Sequence, residues 1–213
     1  MNKISFLIVS AALIAFCNPQ AVRAQTPTTP DEKQTQSRKT SGIFTMYVLD
    51  PLARTICFKD GKEGMMFLNN QWENRCSDLS YSPAGGGHFV AGIEINRIAN
   101  IVDLGSVNDL RERYGFEDAE NGGLGFASLR LDGDKIMIVQ GDLTKLTWQP
   151  LKEGAQLFAE AKASASAPIR LGHIYLVRVA DSKDKSFQRI VKLMVISFRP
   201  DEAVTLRWEL LSK

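Results

Sequence analysis

Two histidines set the outer limit on the chemistry this chain could do. His88 follows the run Gly85-Gly86-Gly87, and His173 follows Leu171-Gly172. Neither stands four residues from the other, the spacing that puts two imidazoles on one helix face around zinc, and no GxSxG elbow or GxxxxGK[ST] phosphate loop occurs. Ser82, His88 and Asp103 could be drawn together as nucleophile, base and orienting carboxylate, although spacing alone does not single them out from other serines and aspartates. Glu117, Asp118 and Glu120 offer paired carboxylates, but an acidic loop is solvated, and burial is what raises an acid's pKa. The glycine cluster Gly122-Gly123-Leu124-Gly125 precedes a strand pattern instead of following one, so it lacks the dinucleotide context. Gly85 to Gly87 can bring backbone amides to a ligand, or simply form a hairpin tip.

No complete catalytic set emerges from these residues. The expected function is therefore an exported non-catalytic binding or structural module of the cell envelope or extracellular space, with no cofactor and no metal. The alternative is a hydrolase whose site lies around His88 and the glycines before it. A recognition surface is expected where aromatic, basic and amide side chains gather in one polar stretch. That stretch is Asn69 to Ser82, where Trp72 supplies apolar contact, Arg75 a fork for carboxylate or phosphate, and Tyr81 a third contact beside the His88 tip. The partner would be an envelope or extracellular protein or a glycan.

Cysteine usage supports both the compartment and the rigidity of that stretch. Of Cys17, Cys57 and Cys76, the first lies in a leader: Lys3, an apolar run Ile4 to Phe16, a break at Asn18-Pro19-Gln20, and Val22-Arg23-Ala24 ahead of Gln25. Small residues at Ala24 and Val22 suit cleavage after Ala24, and the run is too short for a permanent bilayer crossing. Phe16 before Cys17 disfavours a lipid anchor. An even pair then remains, which predicts one disulfide between Cys57 and Cys76, closing a loop of about 20 residues worth on the order of 3 kcal/mol. Loss of Lys3 and Arg23 with the leader lowers the basic total from 26 to 24, equal to the 24 acids. A neutral surface gives no electrostatic reason to expect nucleic acid, and no integral membrane segment is left.

The elements that must carry these residues read as strands. Gln25 to Ser41 is polar and Pro-containing and predicts a disordered spacer, so residues 1–24, 25–41 and 42–213 divide into leader, spacer and a single β-rich domain. Candidate strands run from Ile43 to Leu49, Arg54 to Phe58, Gly64 to Leu68, His88 to Ile95, Ile98 to Leu104, Phe126 to Leu131 and Lys135 to Gln140. Asp132-Gly133 marks a hairpin, which accounts for Gly133 without invoking calcium at Asp132 and Asp134. Helices are expected at Val107 to Tyr114, capped from Ser106 or Asp103 and stopped at Gly115, and at about Leu151 to Ala163. The small-residue run Ala163 to Pro168 reads as a joint near 151–168.

Residues 171–211 predict a three-stranded antiparallel meander. Ile174 to Val179 and Leu193 to Ile196 are apolar on both faces, whereas Val204, Leu206, Trp208 and Leu210 alternate with Thr205, Arg207 and Glu209. Trp208 belongs in the core by that period. The fold expected is mainly β, an antiparallel sandwich or partly open barrel with one or two short helices and this meander at its end.

Overall fold

The computed structural model describes residues 40–212 apart from 51–52, 65, 69–70, 75, 95, 116–125, 127–128, 141–146 and 160–164. In chain order the strands are β1 (Ser41–Tyr47), β2 (Thr55–Cys57), β3 (Lys62–Glu63), β4 (Met66–Leu68), β5 (Gln71–Asn74), β6 (Leu79–Ser82), β7 (His88–Ala91) and β8 (Arg97–Ser106). After helix α1 (Val107–Tyr114) come β9 (Leu129–Asp132), β10 (Lys135–Gln140) and β11 (Thr147–Pro150). Helix α2 (Gly154–Phe158) then precedes β12 (Ser166–Pro168), β13 (His173–Asp181), β14 (Gln188–Arg199) and β15 (Ala203–Leu210).

The meander β13-β14-β15 is the centre of a five-stranded antiparallel sheet in the order β1-β15-β14-β13-β8. Its two faces explain why the sequence there is apolar on both sides. One face packs against a second five-stranded sheet, β12-β7-β6-β2-β3, through Phe58, Tyr81, Phe89, Tyr175, Val177 and Trp208. The other face meets the sheet β11-β10-β9 and both helices through Leu104, Ile174, Leu176, Ile190, Leu110 and Leu157. The result is an antiparallel sandwich with a third layer, and among the described residues no sheet closes into a barrel. Trp208 is fully buried and its ring meets Phe58 at 5.5 Å between centroids, as its period-two neighbours required.

Helix α1 has the bounds the sequence implied, and its start shows why. The Ser106 hydroxyl accepts the Asp109 N–H while the Asp109 carboxylate accepts the Ser106 N–H, and Gly115 closes the other end with φ 64°. These backbone and hydroxyl bonds hold the Asp109 carboxyl below the usual range.

Elsewhere the boundaries move for local reasons. The strand expected to run to Ile95 ends at Ala91, because Gly92 turns to φ +69° with its Cα so close that a Cβ would sit 2.9 Å from the Ala99 Cβ. The hairpin at Asp132-Gly133 is centred one residue later: Asp132 pairs with Lys135, and Gly133 takes φ +61°. The second helix is only Gly154–Phe158, and the remainder of its expected span at 160–163 lies outside the described residues. The joint expected up to Pro168 contains a strand, since Ser166–Pro168 pairs with Val90–His88. Pro168 is tolerated there because β12 is a sheet edge and needs no outward donor.

Lys192 marks a polar exception inside the sheet. Only 2% exposed, its ammonium donates to the Leu129 carbonyl at 3.2 Å, reaches Glu209 at 3.1 Å and lies 4.8 Å from the centre of the Phe126 ring. Burial holds its pKa below the 10.5 of a free lysine, with Glu209 opposing. Folding therefore costs most where the ammonium must stay charged, and stability rises as pH climbs through the lowered folded pKa toward 10.5. Because Glu209 remains half in water, Lys192→Met strands no buried charge; the expected result is stability at pH 7 that is unchanged or higher by up to about 2 kcal/mol. Denaturant titrations from neutral to alkaline pH check this, and the variant should lack the alkaline gain of the wild type.

Candidate functional site

Among the described residues, those nominated from sequence do not form one site. Tyr81 lies in the core, 0% exposed, with its hydroxyl accepting the Asp201 N–H at 3.0 Å and its ring edge-on to Phe198. It is a packing residue and offers a ligand nothing, because the alternation Leu79-Ser80-Tyr81-Ser82 turns it inward with Leu79. Trp72 stands on β5 opposite Phe67, but its side chain lies outside the described residues, as does Arg75. Cys57 and Cys76 are joined in a disulfide with Cα atoms 5.3 Å apart.

His88 is half-buried on β7, and its Nδ1 donates to the Ala84 carbonyl at 2.8 Å, because a carbonyl oxygen can only accept. Ser82 is its cross-strand partner, yet no hydrogen bond joins them among the described residues. Asp103 is engaged elsewhere. Its carboxylate accepts the His173 Nδ1–H at 2.9 Å and the Gly105 N–H at 2.8 Å, with Arg170 at 3.6 Å. Ser106 is the strand partner of His173, but its hydroxyl is committed to Asp109 at the helix cap. Ser82, His88 and Asp103 thus do not meet as a triad, and Glu117, Asp118 and Glu120 lie outside the described residues.

A cleft that the sequence reading missed lies where β8, β13, α2 and the Gln188 end of β14 converge, with a volume of about 800 Å³. That volume is in the range of sites for small organic ligands. Asn100 builds one wall by donating both amide hydrogens, to Leu157 O at 2.9 Å and Ala159 O at 3.1 Å, which ties the end of α2 to the sheet. Beside it Arg178, the cross-strand partner of Asn100, lies over the Phe158 ring at 5.6 Å and donates through Nε to Gln188 at 2.8 Å.

The opposite wall is an ion-pair cluster. Arg97 bridges Glu94 at 3.0 Å and Asp181 at 2.6 Å and lies against the Phe187 ring, 3.6 Å from its centre. The backbone N–H groups of Asp184 and Lys183 hold the Asp181 carboxyl below its ordinary pKa, with Arg97 adding to the effect. Arg97 is thereby neutralised, whereas Lys185 has no partner among the described residues and Arg178 has only the neutral Gln188. The cleft so combines aromatic and small apolar walls with two cations that no carboxylate answers among the described residues. One signal in the sequence could have found it: Arg178 interrupts the apolar run Ile174 to Val179, and a charge inside a strand buried on both faces needs a cavity or a partner.

Below this cleft sits a second buried polar group of structural type. Asp78 accepts the Phe58 N–H at 2.7 Å and Arg189 NH1 at 2.8 Å on each oxygen, and the same guanidinium approaches Cys76 Sγ at 3.2 Å. Cys57, Cys76 and Asp78 come close enough together to suggest metal ligands, but the two sulfurs are spent on each other in the disulfide. Among the described residues no helix is long and apolar enough to cross a membrane. Comparison of the chain with protein-family models, with curated proteins and with solved structures returns no match.

Proposed function

We propose that the chain is an exported non-catalytic binding module of the cell envelope or extracellular space, and that it seats its ligand in the cleft between Phe158, Arg178 and Lys185. The observation that carries this reading is the pair of cations, unanswered by any carboxylate among the described residues, beside apolar walls in a cleft of about 800 Å³. Such a lining favours a ligand with a carboxylate at one end and an apolar or ring-shaped body, the chemistry shared by acidic glycans and acidic peptide segments of envelope partners. A disulfide agrees with an oxidising compartment, as does the leader-like segment ending at Ala24. The rival reading, a hydrolase at His88, has less support, because among the described residues neither an acid nor a nucleophile stands within hydrogen-bond reach of that ring.

The test is calorimetric titration of the protein with hexuronate oligosaccharides and with capped acidic peptides. Saturable binding to one of them is expected, weakened about tenfold by Arg178→Gln and again by Lys185→Gln, since a charge-assisted hydrogen bond contributes roughly 1.5–3 kcal/mol. Melting temperature should stay close to that of the wild type in Lys185→Gln, whose side chain is exposed. Binding that survives both substitutions unchanged would place the ligand elsewhere, and no binding by either probe class would remove the carboxylate reading.

A further inference from the structure

The two sulfurs of the Cys57–Cys76 bridge stand in unequal surroundings. Cys57 ends β2 and is 1% exposed, whereas Cys76 is half-buried. A thiolate that opens a disulfide must reach one of its sulfurs, and of these two residues Cys76 is the one with access to solvent.

The charge around Cys76 is also specific. Arg189 NH1 lies 3.2 Å from Cys76 Sγ and 2.8 Å from each Asp78 oxygen, and Asp78 Oδ2 is 3.8 Å from the same sulfur. Cys57 Sγ, Cys76 Sγ and an Asp78 oxygen all fall within 4.8 Å of one another. A disulfide sulfur carries no charge and accepts a hydrogen bond only weakly, so the guanidinium gains little from it in the bridged form. A thiolate at the same place would be a full counter-charge in contact, and a neighbouring arginine is what draws a cysteine below its ordinary pKa of about 8.5. Arg189 would then face two anions. Asp78 is 1% exposed and burial already raises its pKa, which makes it the group that takes up a proton.

We propose that Cys57–Cys76 is an exchangeable disulfide whose substrate is a dithiol, with Cys76 as the reactive sulfur and Arg189 holding its thiolate. One thiolate of the dithiol attacks Cys76 Sγ; a mixed disulfide forms, the Cys57–Cys76 bond breaks, and its electron pair goes to Cys57, which is protonated to the thiol. The second thiolate of the dithiol attacks the first across the mixed disulfide and releases Cys76 as a thiolate against Arg189. The dithiol is oxidised by two electrons to a disulfide, and its two protons end on Cys57 and Asp78. The net charge around Arg189 is therefore the same before and after, so reduction adds no uncompensated charge to a buried site.

Titration of the single thiols, read by the ultraviolet absorbance of the thiolate in proteins that also carry Cys17→Ser, tests this. In Cys57→Ser the Cys76 thiol should titrate below about 8.5 by about one unit or more, and in Cys76→Ser the Cys57 thiol should titrate above that value. Arg189→Gln should raise the Cys76 value, and Asp78→Asn, which leaves the guanidinium to the sulfur, should lower it further. Near-UV circular dichroism reports folding, and a measurement on the wild-type cysteine pair needs neither charge variant: in dithiothreitol the folded protein should lose its bridge, and iodoacetamide at neutral pH should then label Cys76 about tenfold faster than Cys57, as peptide mass spectrometry reads. A bridge that dithiothreitol opens only in urea overturns the proposal, as does equal or slower labelling of Cys76. So does a Cys76 thiol that titrates at or above the ordinary value in folded Cys57→Ser, or that a folded Arg189→Gln or Asp78→Asn protein leaves unmoved.

Discussion

Asp78→Ala should destabilise the folded chain by about 3–5 kcal/mol, one of the two largest single effects expected in this protein. The carboxylate is 1% exposed, and removing it leaves the Arg189 guanidinium uncompensated beside Phe187 and the disulfide, with the Phe58 N–H losing its acceptor as well. Burial raises the Asp78 pKa even though Arg189 and the Phe58 N–H lower it, so the ionised pair is itself costly to desolvate. Breaking it is costlier still, because one charge stays behind. The pH dependence follows in sign: a folded pKa above the unfolded 3.8 means this group's contribution is greatest below 3.8 and is lost as pH rises through the folded value. Urea titration should show a lower midpoint with an unchanged slope, and a melting temperature lower by roughly 10 °C for a domain of this size. A loss under about 1 kcal/mol would mean that Arg189 reaches water or another acceptor when Asp78 is gone.

The strands that hold the fold together were legible because burial on both faces writes itself into the sequence. Ile174 to Val179 and Leu193 to Ile196 could be assigned to a covered sheet without knowing what covers it, although Ile196, at the register shift after Val195, is left 40% exposed, and the Val204-Leu206-Trp208 period named the inward face. Helix α1 was legible for a different reason, since Ser106, Asp109 and Gly115 are chemical start and stop signals local to the chain. What could not be read locally were strands made by their partners. Thr147–Pro150 and Ser166–Pro168 contain Pro, Gln and Ser, and they are strands because β10 and β7 offer free edges, the second of them remote in sequence. Leu79–Ser82 is the exception: its alternation was present, and taking Tyr81 for a surface aromatic obscured it.

The cleft was illegible for the same reason. Polar loops attracted attention at Asn69 to Ser82, whereas the cations that line the cleft sit within or beside the most apolar part of the chain. Asp103, Arg178 and Lys192 each interrupt an apolar run, and each turns out to have a specific device around it: His173 and Gly105, Gln188 and the Phe158 ring, Leu129 and Glu209. A charged residue in an otherwise covered strand is thus the sharper sequence signal than a polar loop, because burial without compensation is what the fold cannot tolerate.

The same rule gives the second large effect, at the disulfide. Opening Cys57–Cys76 as the Cys57→Ser/Cys76→Ser pair should cost about 3 kcal/mol from the loop of roughly 20 residues it closes in the unfolded chain. The bridge also has a native-state role, because Cys57 precedes Phe58, whose N–H binds Asp78, and Cys76 Sγ lies 3.2 Å from Arg189 NH1. Two hydroxyls in place of the sulfurs would loosen the segment that presents Asp78 to Arg189. The losses from Asp78→Ala and from the double serine change should therefore not add: the combined variant should fall short of the sum by about 0.5–3 kcal/mol, the coupling of groups that share one network. Equilibrium urea unfolding of all four proteins in the cycle measures it. Strict additivity would show that the disulfide acts through the unfolded chain alone and that the buried ion pair stands independently of it.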